Sequence, residues 1–449
     1  MTLTPQSRVH ADTVGSLTLP EALEHAYRSN PQLLKERSIL EQTDENVPKA
    51  LSGWRPTISG NAVANYSESN YVTYPYGGSF RYDQRFAAPG YGAGLTITQP
   101  LFMGGKTVAS THQAMNSVRQ ERATLIETEQ QVFQNVVSTY VSLVQARKIL
   151  ALTLENEKIL SGQVQLTTRQ LALNQATQTD VFQAKSQYEA ARGATRQAES
   201  DVSVAEAAFQ RVVGILAPDQ LAVPSSLASL VHSEPEAEQT AIENAPQISK
   251  ARYALVASQN AVKVAFAALL PQISAQASFE RQVNQNEAKF TENAEMATIQ
   301  ASIPLYQGGG EYAQIRAARR AVDAARHELE DQRRAVIQAV ISAWQKLQSD
   351  RDQLIRNQNA VSLGEAALKS IQKQELLGVR TTFEVLQQQQ LLFQQQKSQV
   401  QNIANSVIDS YALAAAVGHL TAQDLRLDVV LYEPTAHLKA VKWKILGTK

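Results

Sequence analysis

The chain has 449 residues, and 42 basic against 42 acidic side chains leave it formally neutral. Only 19% of residues are charged and 6% aromatic, with abundant Ala and Gln, a composition that favours long helices over a large globular core. Interleaved charge that sums to zero excludes the basic stripe of a nucleic-acid binder, and the absence of cysteine excludes disulfides, thiolate metal sites and cysteine-linked lipid anchors.

Residues 1–15 read as an N-terminal extension without the apolar core of a secretory leader, so an exported chain would be present here in processed or engineered form. No apolar run is long enough for a membrane-spanning helix, which leaves any membrane crossing to strands. The first repeat, 16–218, opens with Leu19, Leu23 and Ala26 on one helical face. Pro31 interrupts this helix, which resumes to about Ser52. Past Pro56 the period changes to two: Ile58, Gly60, Ala62, Ala64 and Tyr66 alternate with Thr57, Ser59, Asn61, Val63 and Asn65. That strand and its return partner, Tyr91 to Thr98, predict a β-hairpin over 56–100. The connection from Ser67 to Gly90 carries Tyr71, Tyr74, Tyr76, Phe80, Tyr82 and Phe86 and reads as a long external loop with interfacial aromatics.

Pro100, Leu101, Phe102, Met103, Gly104 and Gly105 close the hairpin. Heptads on Val118, Leu125 and Val132, then Val136, Leu143, Leu150, Glu157 and Val164, predict a helix of about 70 residues, roughly 100 Å long. A tip follows at 173–180, where Asn174 suits a positive φ, Thr177 a helix cap and Asp180 the first turn of a helix returning from about Thr179 to Val213.

After a linker at 219–235 the same order recurs over 236–418. Pro246 matches Pro31 and Pro271 matches Pro56 at an offset of 215 residues, and from Pro304 onward, which matches Pro100, the offset is 204. The second hairpin, 271–304, holds strands at Ile273 to Phe279 and Ala297 to Ile303 and closes on Gly308 and Gly309. Heptads then run on Val322, Leu329, Val336, Val340, Leu347, Leu354, Val361 and Leu368. The second tip, 377–384, puts Gly378, Thr381 and Glu384 where Asn174, Thr177 and Asp180 stand, and its helix returns from about Thr382 to Val417. Residues 419–449 form a C-terminal segment which, like the linker, falls halfway along the rod as an equatorial belt. Gln387 to Gln390 and Gln394 to Gln396 read as an uncharged polar helix face suited to lining water.

Gly105, Lys106 and Thr107, between a strand and a helix, imitate a phosphate-binding loop. That loop needs a glycine where Pro100 stands, and the second repeat has Gly309, Gly310 and Glu311 with no lysine, so nucleotide binding is set aside. The seven histidines, His10, His25, His112, His232, His327, His419 and His437, lack metal-ligand spacing, and no serine sits in a nucleophile elbow. The reading is of a chain with no catalytic site, no metal and no cofactor.

The duplicated order of helix, hairpin, long helix, tip and returning helix resembles the TolC family of outer-membrane efflux and type I secretion ducts. The likeness covers nearly the whole chain. It rests on SLTLPEALEHAYRSNPQL from Ser16, the two Pro-Leu-aromatic-x-Gly-Gly junctions, TDVFQAKSQYEAA from Thr179, GVRTTFEVLQ from Gly378 and the tail LYEPTAHLKAVKW from Leu431. The tail looks like members that serve type I secretion and multidrug export in alphaproteobacteria. The resemblance implies a mainly α fold with a small membrane β-barrel: a homotrimer with a 12-stranded barrel, four strands per chain, above a periplasmic α-helical tunnel. It also implies a bacterial outer-membrane location reaching into the periplasm, contact with outer-membrane lipid, a periplasmic adaptor (membrane fusion) protein, and an inner-membrane pump or ABC transporter. Four strands cannot close a barrel alone and twelve leave a channel, which agrees with that assembly.

Carried over residue by residue, Glu384 takes the first acidic position of the family's constriction ring and Gln387 stands at the second, giving one carboxylate ring and one amide ring. Arg380 and Asp180 match the positions that hold neighbouring tips together. The tyrosine that often accompanies them is Glu375 here. A soluble periplasmic coiled-coil scaffold or adaptor is the alternative reading of the same pattern.

Overall fold

The computed structural model describes residues 16–73, 82–227, 231–284 and 290–447. Proline and glycine punctuate the chain where the change of period predicts. In the first half α1 (Leu19–Ser29), α2 (Pro31–Asp44) and α3 (Asn46–Leu51) lead through a 3-10 turn to β1 (Thr57–Thr73), β2 (Tyr82–Met103), α4 (Lys106–Ala172) and α5 (Gln178–Val213). In the second half α6 (Glu234–Asn244) and α7 (Pro246–Phe266) lead through a 3-10 turn to β3 (Gln272–Val283), β4 (Thr291–Ser302), α8 (Gly310–Leu376) and α9 (Thr382–Ala416), and the short α10 (Ala436–Val441) follows. Both long helices have 67 residues. The fold is mainly helical with one small sheet. Two compact units each draw on both halves of the sequence, one from 1–38, 123–249 and 330–433, the other from 39–122, 250–329 and 434–449.

In the first unit Leu23, Leu33, Phe133, Val136, Tyr140, Leu143 and Phe209 are fully buried, with the Tyr140 and Phe209 rings 6.3 Å apart. The Tyr140 hydroxyl lies 2.7 Å from the Leu17 carbonyl and 2.8 Å from the Ala222 carbonyl, and donates its one proton to either. Burial pushes this phenol up to about 12. Arg147 straps the linker down by donating to the Pro218 and Asp219 carbonyls at 2.7 and 3.0 Å and to Glu206 at 2.8 Å.

In the second unit four antiparallel strands lie in the order β1-β2-β3-β4, so the two hairpins share one sheet through β2 and β3. Here the structure corrects the loop expected over 67–90. β1 continues to Thr73 and β2 begins at Tyr82, in unbroken register from Thr57 opposite Thr98 to Thr73 opposite Tyr82. Glu68, Asn70 and Pro89 end the apolar alternation, but the ladder is made by backbone groups and does not need it. Tyr71, Tyr82 and Phe86 are strand positions, whereas Tyr74, Tyr76 and Phe80 lie outside the described residues.

Register also sorts the two faces of the sheet. Ile58, Ala62 and Tyr66 share a face with Ile97, Leu95 and Tyr91, and through them with Ala277, Phe279, Ala297 and Ile299. The opposite face carries Ser59, Asn61, Thr96, Thr98, Gln276, Ser278 and Thr298, with Val63 and Met296 as apolar exceptions. Arg281 and Glu295 enter the apolar face only toward the loop end of β3 and β4. None of the described residues covers that face, since Ile58 is 66%, Tyr66 70% and Ile299 73% exposed.

The C-terminal segment is tied into this unit. Arg55 donates to the Lys444 carbonyl at 2.9 Å, and His437 Nδ1 lies 3.4 Å from the fully buried Asp44 carboxylate, whose pKa is raised mainly by that burial.

Candidate functional site

Both tips lie in the first unit, and the same local chemistry builds them. At the end of α4, Asn174 takes φ 58° and the Gln175 amide donates to the Gln170 carbonyl at 2.8 Å. At the end of α8, Gly378 takes φ 71° and the Val379 amide donates to the Gln374 carbonyl at 2.9 Å. This six-to-one bond across a left-handed residue is the usual way to satisfy the last carbonyls of a helix. The next helix then starts on a reciprocal cap. Asp180 Oδ2 accepts from the Thr177 amide at 2.8 Å and its hydroxyl at 2.7 Å, while the Asp180 amide donates back to Thr177 Oγ1 at 3.2 Å. Glu384 Oε2 accepts from the Thr381 amide at 2.9 Å and its hydroxyl at 3.2 Å, with the return bond at 3.3 Å. Such a box satisfies two amides that the helix leaves orphaned.

The second tip adds a cation. Arg380 Nη1 donates to Glu384 Oε1, and Arg380 Nε donates to Gln374 Oε1 at 3.2 Å. The Thr381 amide, followed by Arg380, holds the Glu384 carboxyl below the usual carboxylate range. Asp180 has no ionic partner among the described residues, because Ala176 stands where Arg380 does. Arg380 and Asp180 are not bonded to each other within the chain, and Gln387 is exposed one turn beyond Glu384.

Three contacts that sequence reasoning missed bind the hairpins to each other above the tips. Gln163 Nε2 donates to Glu375 Oε1 at 3.3 Å, Gln389 Nε2 donates to Asn156 Oδ1 at 3.2 Å within a buried setting, and Leu386 packs with Leu160, Ala184 and Ala191. Glu375 is thus a polar bridge to α4. Gln389 corrects the reading of Gln387 to Gln390 as a water-lining face, since its side chain is buried against α4.

The strand-to-helix junctions belong to the other unit. Pro56 and Pro271 each follow a 3-10 turn and precede a strand, Pro100 lies beside a register shift in β2, and Pro304 follows the end of β4. Gly104, Gly105, Gly308 and Gly309 have φ of 59°, 78°, 74° and 82°, a region that side chains with a Cβ rarely adopt. Gly104 is needed twice over, since a Cβ there would come within 2.8 Å of the Ala267 carbonyl oxygen. Lys106 is the exposed first residue of α4.

The described geometry, two capped hairpin tips and one open sheet, agrees with the relatives of the chain. The Outer membrane efflux protein family profile matches residues 22–215 and 238–419, one span in each repeat. Outer membrane efflux protein BepC of Brucella suis biovar 1 (strain 1330) is 32% identical over 435 residues, 97% of this chain and 92% of its own length. Outer membrane protein TolC of Escherichia coli (strain K12) is 21% identical over 423 residues, 91% of this chain and 83% of its own length. The crystal structure of CusC superposes with a TM-score of 0.78 at 17% identity, over 92% of this chain and 96% of that one, a likeness of fold. The resemblance to TolC holds, and the chain belongs to the outer membrane efflux protein family.

Proposed function

We propose that three copies of the chain close a 12-stranded barrel in the outer membrane and form a passive exit duct, for drugs or for a secreted protein, with a helical tunnel below. The observation that carries this reading is the sheet, with one apolar face left uncovered and β1 and β4 left as unpaired edges among the described residues. Isolated edges and an exposed apolar face are liabilities in water, and both vanish in a closed barrel surrounded by lipid. From Ile58 to Tyr66 the strand runs about 26 Å, which at the roughly 35–45° tilt of such barrels spans about 20 Å of an apolar band of roughly 25 Å, and Tyr66 and Tyr91 end it on one side as an aromatic girdle would.

Under this reading the tips form the periplasmic entrance. Glu384 contributes a ring of three carboxylates and Gln387 a ring of three amides. Asp180 and Arg380 close it when Arg380 exchanges Gln374 and Glu384 for the Asp180 of an adjacent hairpin. A periplasmic adaptor and an inner-membrane pump or ABC transporter would deliver the cargo. A groove of about 530 Å³ among α4, α5 and α9, with Ser142, Ala198, Asp201 and Lys397 on its walls, offers a surface for helical partners.

The assembly is tested by light scattering of the full chain extracted in mild detergent. A trimer is expected. A folded monomer that needs no detergent would sink the duct and favour the soluble scaffold.

A further inference from the structure

Six residues into α8 begins a run of arginines that the duct reading does not use. Arg316, Arg319, Arg320 and Arg326 line one groove of about 660 Å³, with Gln259 and Val262 of α7 on its other wall. Spacings of three and four put the first three on one helix face, where like charges repel. The groove holds one carboxylate. Asp323 is divided between Arg320 at 3.3 Å and Arg326 at 3.6 Å, which leaves Arg316 and Arg319 with no ionic or hydrogen-bond partner among the described residues. Four cations against one anion make a local excess of three positive charges in a chain whose total is zero.

We propose that the α7–α8 groove is a binding site for phosphate-bearing anions, with Arg316 and Arg319 as direct ligands and Arg320 and Arg326, braced through Asp323, as its rim. A guanidinium offers a planar fork of donors that fits two phosphate oxygens at once, and two unpartnered forks in one concavity can share a dianion. The apolar Val262 wall suits a phosphate carried on a glycerol or a similar organic stub. Position names one source. Arg316 lies about 9 Å along α8 from its first residue, Gly310, which follows the end of β4 at Ser302 by a short connection closed by the Gly308 and Gly309 turn. If the barrel sits in the membrane as proposed, the groove opens just below the headgroup layer, within reach of an anionic phospholipid. A soluble phosphate compound is the other source of the same chemistry, and the groove itself does not depend on the membrane reading.

The test titrates inorganic diphosphate into the full detergent-solubilised protein in a zwitterionic detergent, alongside native mass spectrometry after exchange into phosphatidylglycerol or phosphatidylcholine micelles. The unmodified protein should bind diphosphate saturably, more weakly as salt rises. Arg316→Gln combined with Arg319→Gln should weaken binding at least tenfold, while Arg192→Gln combined with Arg196→Gln, on exposed ion-paired arginines of α5, should leave it unchanged. Retention of phosphatidylglycerol but not phosphatidylcholine, displaced by diphosphate, would support the site and assign it to lipid. Diphosphate binding without lipid retention would support the site and assign it to a soluble ligand. Equal binding by the unmodified protein and the Arg316/Arg319 variant, or no saturable binding of either probe, would overturn it. Conductance and oligomeric state measured on the same preparations keep a failure here separate from a failure of the duct.

Discussion

The two tips share a backbone and differ in charge. Asn174 and Gly378 turn the chain with nearly the same φ, and Thr177 with Asp180 repeats Thr381 with Glu384 bond for bond. Yet Glu384 is neutralised by Arg380 from its own hairpin, and Asp180 is left with only its cap. The two halves thus keep the geometry of the turn and the capping threonine, while the charge around the cap differs. An asymmetric pair of tips gives each chain one free carboxylate and one latched one, so under the proposed trimer the electrostatics of the entrance would depend on where Arg380 sits.

The largest expected effect follows from that dependence. Glu384→Gln should cut cation over anion selectivity several-fold, read as a shift in reversal potential across a salt gradient. Asp180→Asn should shift it less, because Glu384 and not Asp180 is assigned to the constriction. Equal shifts from both would erase the functional difference between the tips. Since the Glu384 pKa is lowered, its share of selectivity should persist as pH falls through the ordinary 4.5 and disappear only below that. Next in size, Arg380→Ser should raise single-channel conductance by releasing Glu384 and unlatching the tips, with little loss of stability from so exposed a pair. Unchanged conductance would mean that the contacts higher up, Gln163 with Glu375 and Gln389 with Asn156, hold the entrance by themselves.

Stability should report the likeness rather than the difference. Thr177→Ala and Thr381→Ala should each cost about 1 kcal/mol by the loss of a cap, visible as similar drops in thermal midpoint. A large inequality would show that the caps are alike only in geometry. Asn174→Gly should be nearly neutral, whereas Gly378→Ala should cost roughly 1–2 kcal/mol at its left-handed φ.

The smallest effect lies away from the tips, on the α8 and α9 arms of the second hairpin. Asp350 Oδ2 is buried without a hydrogen-bond donor, beside the carboxylate of Asp409. Burial first, then the hydrogen bond and charge of Asp409, push the Asp350 carboxyl up to about 6, against the opposing pull of Lys346. A carboxyl raised in this way favours the folded state below its ordinary value of 3.8, and that contribution is lost as pH rises through about 6. Asp350→Asn should therefore raise the thermal midpoint by roughly 1–3 °C at pH 7.5 and change it little at pH 4. A gain of the same size at both pH values would mean that ionisation is not the cause.

What could be read from the sequence was what local backbone chemistry dictates. Asn174, Gly378 and the capping threonines act within five residues of themselves, so their roles are visible without a third dimension, whereas Gly104 also answers to the distant Ala267 carbonyl. The heptads located the core in part of each long helix: Val118, Leu125, Val132, Val136 and Leu143 of α4 and Val336, Val340, Leu347 and Val361 of α8 are buried, whereas Leu150, Glu157 and Val164 and Val322, Leu329, Leu354 and Leu368 stay half-buried. The rest was hidden for physical reasons. Glu68, Asn70 and Pro89 masked the outer half of the first hairpin because strand pairing tolerates polar side chains. The Asn156 and Gln389 pair spans 233 residues, and which polar side chains meet across helices is set by packing that no local period records. The pairing of Arg380 with Glu384 was not legible from helical spacing either, because Arg380 stands before the cap residue Thr381, outside the helix.

The central claim, that this chain forms a water-filled duct entered at its tips, is tested most directly by recording from the purified protein in planar lipid bilayers. Discrete, cation-selective conductance steps whose selectivity falls with Glu384→Gln are the predicted result. A trimer that inserts into the bilayer and stays electrically silent, even with Arg380→Ser, would contradict the account.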